Sequence, residues 1–207
     1  LGFGEAYMDG WWDVQQLDEF FARALSIRLD KELWSLPLLW NYIKAAALNG
    51  QSKTRSKKVA KEHYDLGNDF YSNMLDKNMQ YTCAYWKNAK TLDQAQEQKL
   101  DLICKKLQLK PGEKILELGC GWGGFAHYAA THYGVEVTAY NISSEQVKYA
   151  REWNKDLPVK IIHADYREAQ GTYDKVASIG LCEHVGYKNH RTLMKVVHRC
   201  LKAEGLF

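Results

Sequence analysis

The strongest constraint on the fold of this sequence is a regular alternation, between residues 114 and 202, of apolar runs with segments of helical periodicity. The alternation predicts strands at 114–118, 135–140, 158–163 and 175–180, and helices at 122–133 and 189–202. A fifth strand is expected after Gly205. Strands that alternate with helices form a parallel, doubly wound sheet, and ligands bind outside the carboxyl ends of its strands. The sequence therefore predicts an α/β fold.

Capping residues mark the ends of several predicted helices. Gly134 follows the helix at 122–133, and glycine is the commonest residue just past a helix end. Ser143 begins the next helix, and Gln146, three residues later, has the spacing of a capping box. Asp13 is expected to cap the first helix of the chain. The helices outside the alternating region are predicted at 13–29, 31–48 and 91–109.

Length and composition favour a cytoplasmic protein. The 207 residues are enough for one sizeable core and a smaller appendage, and 46% hydrophobic content is ordinary for a soluble globular chain. No signal peptide or membrane-spanning run is found. The five cysteines include no C-x-x-C pair, which argues against a disulfide framework or a zinc ribbon. Because the chain starts at Leu1 and stops soon after Gly205, we expect a fragment truncated at both ends.

Basic and tryptophan residues concentrate near the N-terminus. The net charge of +3 is too small to indicate nucleic-acid binding. A run without acids holds five basic residues, namely Lys53, Arg55, Lys57, Lys58 and Lys61. This run is either a solvated linker or a contact with an anionic membrane, where each basic residue can add roughly 1 kcal/mol. The early tryptophans are likewise residues of a core or of a membrane interface; they are Trp11, Trp12, Trp34 and Trp40.

A glycine-rich loop, ELGCGWGG at residues 117–124, lies between the first predicted strand and its helix. Gly119, Gly121 and Gly124 spell the dinucleotide fingerprint G-x-G-x-x-G. Glu117, Gly119, Gly121 and Gly123 spell E-x-G-x-G-x-G, which suits S-adenosylmethionine. An acid before the loop would repel a pyrophosphate but could accept hydrogen bonds from the ammonium group of a methionine. The loop therefore favours S-adenosylmethionine and leaves a dinucleotide open.

Two polar residues after later strands fit either cofactor. Asn141, at the end of the second strand, could bond a ribose hydroxyl, although more weakly than the usual acid. Asp165, after the third strand, could accept a hydrogen bond from an adenine amino group.

Several stretches taken together resemble the bacterial cyclopropane-fatty-acyl-phospholipid synthases and their relatives, the mycolic-acid cyclopropane synthases. The stretches are YMDGWW (7–12), EHYDLGNDFY (62–71), MQYTCAYW (79–86), ELGCGWGG (117–124) and SIGLCEHVG (178–186). The resemblance covers essentially the whole chain. It implies a helical segment at 1–50 from a lipid-binding domain, a basic linker at 51–61, and a Rossmann-like methyltransferase domain at 62–207 that is incomplete at its C-terminus.

The resemblance also implies a reaction. A methyl group of S-adenosylmethionine is added to the double bond of an unsaturated phospholipid chain, a bound bicarbonate takes a proton from the resulting carbocation, and a cyclopropane ring closes. The implied cofactor contacts are Tyr81, Thr82, Glu117, Gly119, Gly121, Gly123, Asn141, Gln146, Asp165, Tyr166 and Arg167. Cys83 and Glu183 would line the bicarbonate site. The family's other bicarbonate ligands, a histidine and a tyrosine, would lie beyond Phe207.

Each candidate residue has an alternative interpretation. Cys83 could be a thiolate nucleophile or a small buried apolar residue, and Glu183 could be a surface acid. Tyr85 and Trp86 either face the developing cation or pack in the core. Three residues either form a lid over the site or pack as an ordinary helix; they are His63, Tyr64 and Tyr71. His184 has no partner motif for zinc, so no metal site is predicted.

The rival functions are distinguished by product or cofactor. A sister methyltransferase would leave a methyl branch or a hydroxyl on the lipid. A dinucleotide-dependent oxidoreductase would bind a nicotinamide cofactor, and a lipid-binding module would keep only a vestigial cofactor site. The expected partner is a phospholipid bilayer with unsaturated acyl chains, reached from the cytoplasm at the inner face of the membrane. No nucleic-acid partner is expected, and a homodimer remains open.

Overall fold

The computed structural model describes residues 2–27 and 68–207, and the chain divides into two compact units, residues 1–49 and 50–207. In the first unit helix α1 spans Gly2–Met8 and α2 spans Leu17–Ser26. Helix α2 is therefore shorter than the helix predicted at 13–29. Asp13 does not cap it, because the helix begins only at Leu17 and Gln16 occupies the N-cap position. The predicted helix at 31–48 and the basic linker at 51–61 lie outside the described residues.

An aromatic cluster joins helices α1 and α2. The ring of Trp12 lies 4.4 Å from that of Phe3 and 5.3 Å from that of Phe20, measured between centroids. The Trp12 indole N–H also donates to the Phe3 backbone oxygen at 3.1 Å. The neighbouring Trp11 is 80% exposed. Of these two adjacent tryptophans, one therefore packs within the unit and the other faces out. Trp34 and Trp40 lie outside the described residues.

The second unit contains a parallel five-stranded sheet with the order β3-β2-β1-β4-β5. The strands are β1 Lys114–Leu118, β2 Glu136–Asn141, β3 Val159–His163, β4 Tyr173–Ala177 and β5 Leu201–Leu206. The order reverses at β1, whose Glu117 lies between Ala139 of β2 and Ala177 of β4. A crevice at the carboxyl ends of β1 and β4 is the usual ligand position in such a sheet. The predicted doubly wound α/β fold is confirmed.

Within residues 68–207, six helices surround this sheet or precede it. They are α3 Asn68–Met74, α4 Leu92–Lys106, α5 Gly124–Tyr133, α6 Ser144–Trp153, α7 Cys182–Val185 and α8 His190–Cys200. Ile115 belongs to one apolar cluster and Leu116 to another, because successive strand residues point to opposite faces of the sheet. Phe125 of α5 is buried in the first cluster and Leu193 of α8 in the second. The two clusters therefore bury both faces of the sheet.

Two predicted strands have boundaries that are shifted by more than one residue. Strand β4 ends at Ala177 instead of residue 180, since residues 178–180 leave the ladder as a loop with Gly180 at φ +70°. Strand β5 was expected after Gly205 but begins at Leu201, directly after α8. It pairs with β4 through a register irregularity between Tyr173 and Lys175, which a local pattern of apolar residues does not reveal. None of the described helices is both long and apolar enough to cross a bilayer.

Candidate cofactor site

A cavity of about 840 Å³ lies at the carboxyl ends of the central strands. The residues that line it come from the glycine loop, the end of β2, the loop after β4, helices α4, α5, α6 and α7, and the segments 79–83 and 166–167. All the predicted site residues line it except Gly123 and Asp165. Those that do are Tyr81, Thr82, Cys83, Glu117, Gly119, Gly121, Asn141, Gln146, Tyr166, Arg167 and Glu183. Sequence positions more than 100 residues apart thus meet in one site.

The glycines of the loop have different roles. A Cβ at Gly121 would meet nothing within 4 Å, so this residue borders open space in the cavity. A Cβ at Gly124 would overlap the backbone oxygen of Asn78, because the segment before the site lies directly on the start of α5. A Cβ at Gly123 would lie 3.0 Å from that of Ala150, which places Gly123 against α6 and away from the cavity lining. Gly124 belongs to the dinucleotide spelling of the loop, and its role in this structure is packing.

Glu117 is the buried acid of the site. It is the fourth residue of β1, its side chain is 2% exposed, and its Oε2 has no hydrogen-bond partner. Burial raises the pKa of Glu117 from an ordinary 4.5 to about 8, and the positive charge of Lys99 opposes that shift. An unpartnered buried carboxyl oxygen that borders a cavity can accept a hydrogen bond from a ligand.

Asn141 links the end of β2 to the glycine loop. Its Nδ2 donates to the Gly121 backbone oxygen and to Gln146 Oε1, each at 2.9 Å. Ser143 accepts from the Gln146 backbone N–H at 3.4 Å, so the predicted helix cap is present. In a full capping box the Ser143 N–H would also donate to the Gln146 side chain. Here the Ser143 N–H donates to Asn141 Oδ1 instead, at 3.4 Å. The Asn141 amide therefore holds the loop.

The adenine-side candidates form an ion pair. Asp165 accepts from the backbone N–H of Arg167 at 2.9 Å and from its guanidinium at 2.8 and 2.9 Å. The Asp165 carboxylate is 4% exposed and does not line the cavity, whereas Arg167 and Tyr166 do. The Tyr166 hydroxyl is buried without a hydrogen-bond partner. Asp165 consequently orients Arg167 and does not itself line the cavity.

Helix α4 holds the segment 80–82, which lines the cavity. Lys99 Nζ donates to Gln80 Oε1 at 2.6 Å and to Thr82 Oγ1 at 2.9 Å. Gln96, one turn earlier, donates from Nε2 to the Thr82 backbone oxygen at 2.9 Å. Sequence reasoning missed both residues. The available signal was that Lys99 falls at i+4 spacing between Ala95 and Ile103, in the stripe expected to be apolar.

The predicted catalytic residues lie at the rim of the cavity. Cys83 and Glu183 both line it and both are exposed, as is Tyr81 at 60%. Glu183 is on α7, a helix of four residues in which only Val185 is buried. The interpretation of Cys83 as a buried apolar residue was wrong.

The predicted roles of the aromatic residues have mixed outcomes. Tyr85 and Trp86 are 40% and 55% exposed and do not line the cavity, so their packing in the core was a wrong expectation. Tyr71 is buried with its ring 4.7 Å from that of Trp122, which agrees with ordinary helix packing. His63 and Tyr64 lie outside the described residues. Among residues 2–27 and 68–207 no three His, Cys, Asp or Glu side chains are grouped to hold a metal ion.

The chain matches known proteins over most of its length. The family model "Mycolic acid cyclopropane synthetase" matches residues 51–207. Cyclopropane-fatty-acyl-phospholipid synthase of Escherichia coli K12 is 50% identical over 208 aligned residues, which cover 100% of this chain and 54% of that protein. Sphingolipid C9-methyltransferase A of Emericella nidulans is 34% identical over 75% of this chain and 32% of its own. The chain thus spans about half the length, or less, of these curated relatives.

Solved structures agree with the family match. A crystal structure of a mycolic acid cyclopropane synthase complexed with SAH and CTAB is 32% identical and superposes with a TM-score of 0.68, covering 71% of this chain and 53% of that one. Together with the parallel sheet and its cavity, this likeness confirms the predicted Rossmann-like methyltransferase fold. On these grounds the chain belongs to the mycolic acid cyclopropane synthetase family.

Proposed function

We propose that the protein transfers a one-carbon unit from S-adenosylmethionine to the cis double bond of an unsaturated phospholipid chain and forms a cyclopropane ring. One observation carries the proposal: a buried acid, Glu117, presents an unpartnered oxygen at the cavity of a chain that is 50% identical to a cyclopropane-fatty-acyl-phospholipid synthase. The same acid disfavours a pyrophosphate. Family membership also speaks against the dinucleotide-dependent oxidoreductase.

The cavity suits an adenosine cofactor with an amino-acid tail. Its volume of about 840 Å³ lies within the range of small-molecule sites, roughly 300–1,000 Å³. Glu117 would accept hydrogen bonds from the ammonium group of the tail, and open space at Gly121 would admit the ligand. Tyr166 and Arg167 would flank the adenine at the other end. S-adenosylmethionine supplies an electrophilic methyl group when it is bound.

Cys83 and Glu183 would hold bicarbonate, which would supply the base that removes a proton before ring closure. Their support is that both line the cofactor cavity at its rim. The Glu183 carboxylate could orient a bicarbonate ion by accepting a hydrogen bond from its hydroxyl group. This makes Glu183 a positioning group for bicarbonate and leaves proton removal to the bicarbonate itself.

The substrate class implies docking on a bilayer from the cytoplasmic side. Exposed apolar residues in the first unit support it, since Met8 is 84%, Trp11 80% and Leu25 73% exposed. Such side chains can enter the boundary between headgroups and acyl chains. The basic residues between 53 and 61 would add attraction to anionic lipids. A homodimer would place two such surfaces on one membrane.

A second candidate is a sister lipid C-methyltransferase that leaves a methyl branch. The likeness to sphingolipid C9-methyltransferase A favours it, because that protein shares 34% identity over 75% of this chain. The two candidates share the cofactor and differ in the product, which is a cyclopropane ring in the first and a methyl branch in the second.

The deciding experiment is mass spectrometry of lipids after incubation of the protein with S-adenosylmethionine, bicarbonate and vesicles of cis-unsaturated phospholipid. A product heavier by one CH₂ that resists catalytic hydrogenation would support ring formation. A product that is also heavier by one CH₂ but takes up hydrogen would identify the sister methyltransferase. An unchanged lipid, with S-adenosylhomocysteine shown to bind, would refute the proposed substrate class.

A further inference from the structure

We propose that Lys99 binds the carboxylate of the cofactor's amino-acid tail while Glu117 binds its ammonium group, so that one buried cation and one buried acid recognise the zwitterion together. The inference rests on the proposed function and adds a binding residue to the same site. It concerns how the site distinguishes the intact cofactor from adenosine compounds that lack the tail.

Lys99 is a buried cation in the wall of the cavity. Its side chain is 8% exposed, lines the cavity, and forms no ion pair with a described residue. Its two partners, Gln80 Oε1 and Thr82 Oγ1, are neutral. An ammonium group has three donors, so one remains for a ligand. Because a buried charge is costly unless it is paired, an anion in the cavity would stabilise Lys99.

Glu117 is the buried acid that would bind the opposite charge of the ligand. It lines the same cavity, and its Oε2 has no partner. Burial lowers the pKa of Lys99 to about 8 and raises the pKa of Glu117 to about 8, and the attraction between the two charges opposes both shifts. Each group is thus drawn toward its neutral form in the protein alone. A ligand that carries both charges would restore both ionised forms in one step.

Thr82 provides a second donor for the same carboxylate. Its hydroxyl accepts from Lys99 at 2.9 Å, which leaves the hydroxyl hydrogen free to be donated to a ligand. The Thr82 methyl group is fixed against the loop after β4, since a Cβ at Gly180 would lie 2.5 Å from Thr82 Cγ2. Lys99 and Thr82 therefore form a rigid pair of donors at one point of the cavity wall.

The alternative is that Lys99 only tethers the segment 80–82. Gln96 already tethers this segment with a neutral amide, through the backbone oxygens of Gln80 at 3.4 Å and Thr82 at 2.9 Å. A tether does not require a buried charge. The two roles predict different ligand selectivity, because loss of a tether disturbs every ligand, whereas loss of a carboxylate contact affects only ligands with a carboxylate.

The test is calorimetric titration with three ligands: S-adenosylhomocysteine, its decarboxylated analogue, and 5′-methylthioadenosine, which lacks the tail. The variants are Lys99→Met, Gln96→Leu as the tether control, and Lys105→Met as a matched change at an exposed lysine of the same helix. Lys99→Met should bind S-adenosylhomocysteine about 10- to 100-fold more weakly, the usual effect of a charge-assisted hydrogen bond. Its affinity for the other two ligands should change less than about threefold. Gln96→Leu should weaken all three ligands alike, and Lys105→Met none.

Equal losses for all three ligands in Lys99→Met, or no loss for S-adenosylhomocysteine, would overturn the inference. The unaltered protein gives a check that does not depend on any variant folding, because it must prefer S-adenosylhomocysteine to the decarboxylated analogue by about tenfold or more. Equal affinity for the two would also overturn the inference and leave the proposed function intact. An unaltered protein that binds none of the three ligands would instead refute the proposed function.

Discussion

The side-chain amide of Asn141 donates to the backbone oxygen of Gly121 across 2.9 Å and so ties the end of β2 to the glycine loop that follows β1. The opposite atom of the same amide accepts from the backbone N–H of Ile142 at 2.7 Å. One buried side chain thus fixes the two adjacent strand ends on which the cofactor would lie.

Replacement of Asn141 by Ala should therefore disturb both stability and binding. The half-buried backbone groups of Gly121 and Ile142 would lose their partners, at a cost of about 1–3 kcal/mol in the free energy of unfolding. Affinity for S-adenosylhomocysteine should fall because the loop is released. Urea unfolding and calorimetry would measure the two effects. Asn73→Ala, at an exposed asparagine of α3, is the control, and equal behaviour of the two variants would contradict the role of Asn141.

Two glycines of one motif should respond differently to the same substitution, Gly124 mainly in stability and Gly121 mainly in cofactor binding. Gly124→Ala would drive a methyl group into the backbone oxygen of Asn78, so a loss of about 3 kcal/mol or more in unfolding free energy is expected. Gly121→Ala meets open space, and its φ of +54° costs only about 1–2 kcal/mol. The added methyl would nevertheless narrow the cavity and weaken cofactor binding.

Thermal unfolding of these two variants measures the effect on stability, and titration with S-adenosylhomocysteine measures the effect on cofactor binding. A Gly124→Ala protein as stable as the unaltered one would show that the segment at Asn78 does not rest on α5 as the structure has it. Tight cofactor binding by Gly121→Ala would show that the ligand avoids this part of the cavity.

Glu117 should make stability depend on pH. Its folded-state pKa of about 8 lies above its ordinary 4.5, so the folded protein holds a proton that the unfolded chain releases. Its contribution to stability is therefore present in full below pH 4.5 and is lost as the pH rises toward 8. The Glu117→Gln variant has no ionisable group at this position, so it should not lose stability in this way as the pH rises. The variant should match the unaltered protein near pH 5 and exceed it at pH 8 by on the order of 1–3 kcal/mol.

Denaturant unfolding of the ligand-free protein between pH 5 and pH 8.5 measures this difference. Glu136→Gln is the matched control, because Glu136 is exposed at the amino end of β2, whereas the cavity lies at the carboxyl ends of the strands. Parallel stability curves for Glu117→Gln and the unaltered protein would contradict the assigned burial of the acid. The gain in stability should be accompanied by weaker S-adenosylhomocysteine binding.

Glu183 should affect turnover more than cofactor binding. If it positions bicarbonate, Glu183→Gln should slow lipid methylation by about 10²-fold or more, a typical effect of misplacing a proton-transfer group. The dissociation constant for S-adenosylhomocysteine should change little, since Glu183 is exposed at the rim. Single-turnover rates and calorimetry provide the two readouts. A rate restored by added bicarbonate would support the assignment, whereas an unchanged rate would remove Glu183 from the reaction.

Much of the fold was predictable because its signals are local. The apolar run at β1 was predicted with its observed bounds, Lys114–Leu118, and the end of α5 at Gly134 followed from a glycine at φ +64°. Boundaries that depend on pairing were not predicted. Strand β5 contains Lys202 and Glu204, so its sequence carries no apolar run, and it exists because its backbone pairs with β4. The start of α2 was also misplaced, because the helix begins at Leu17 and Asp13 is therefore not its cap.

By itself the sequence determined the order of strands and helices, the glycine loop and the acid before it, because periodicity, glycine spacing and motif order all act over a few residues. Only the tertiary structure decided which polar side chains share the cavity. It turned Asp165 onto Arg167, left Gly123 against α6, and placed Lys99 in the wall beside the segment 80–82. These outcomes depend on packing between elements distant in the chain. This packing also buries Glu117 and Lys99, and a buried charged group is stabilised when a ligand of opposite charge binds beside it.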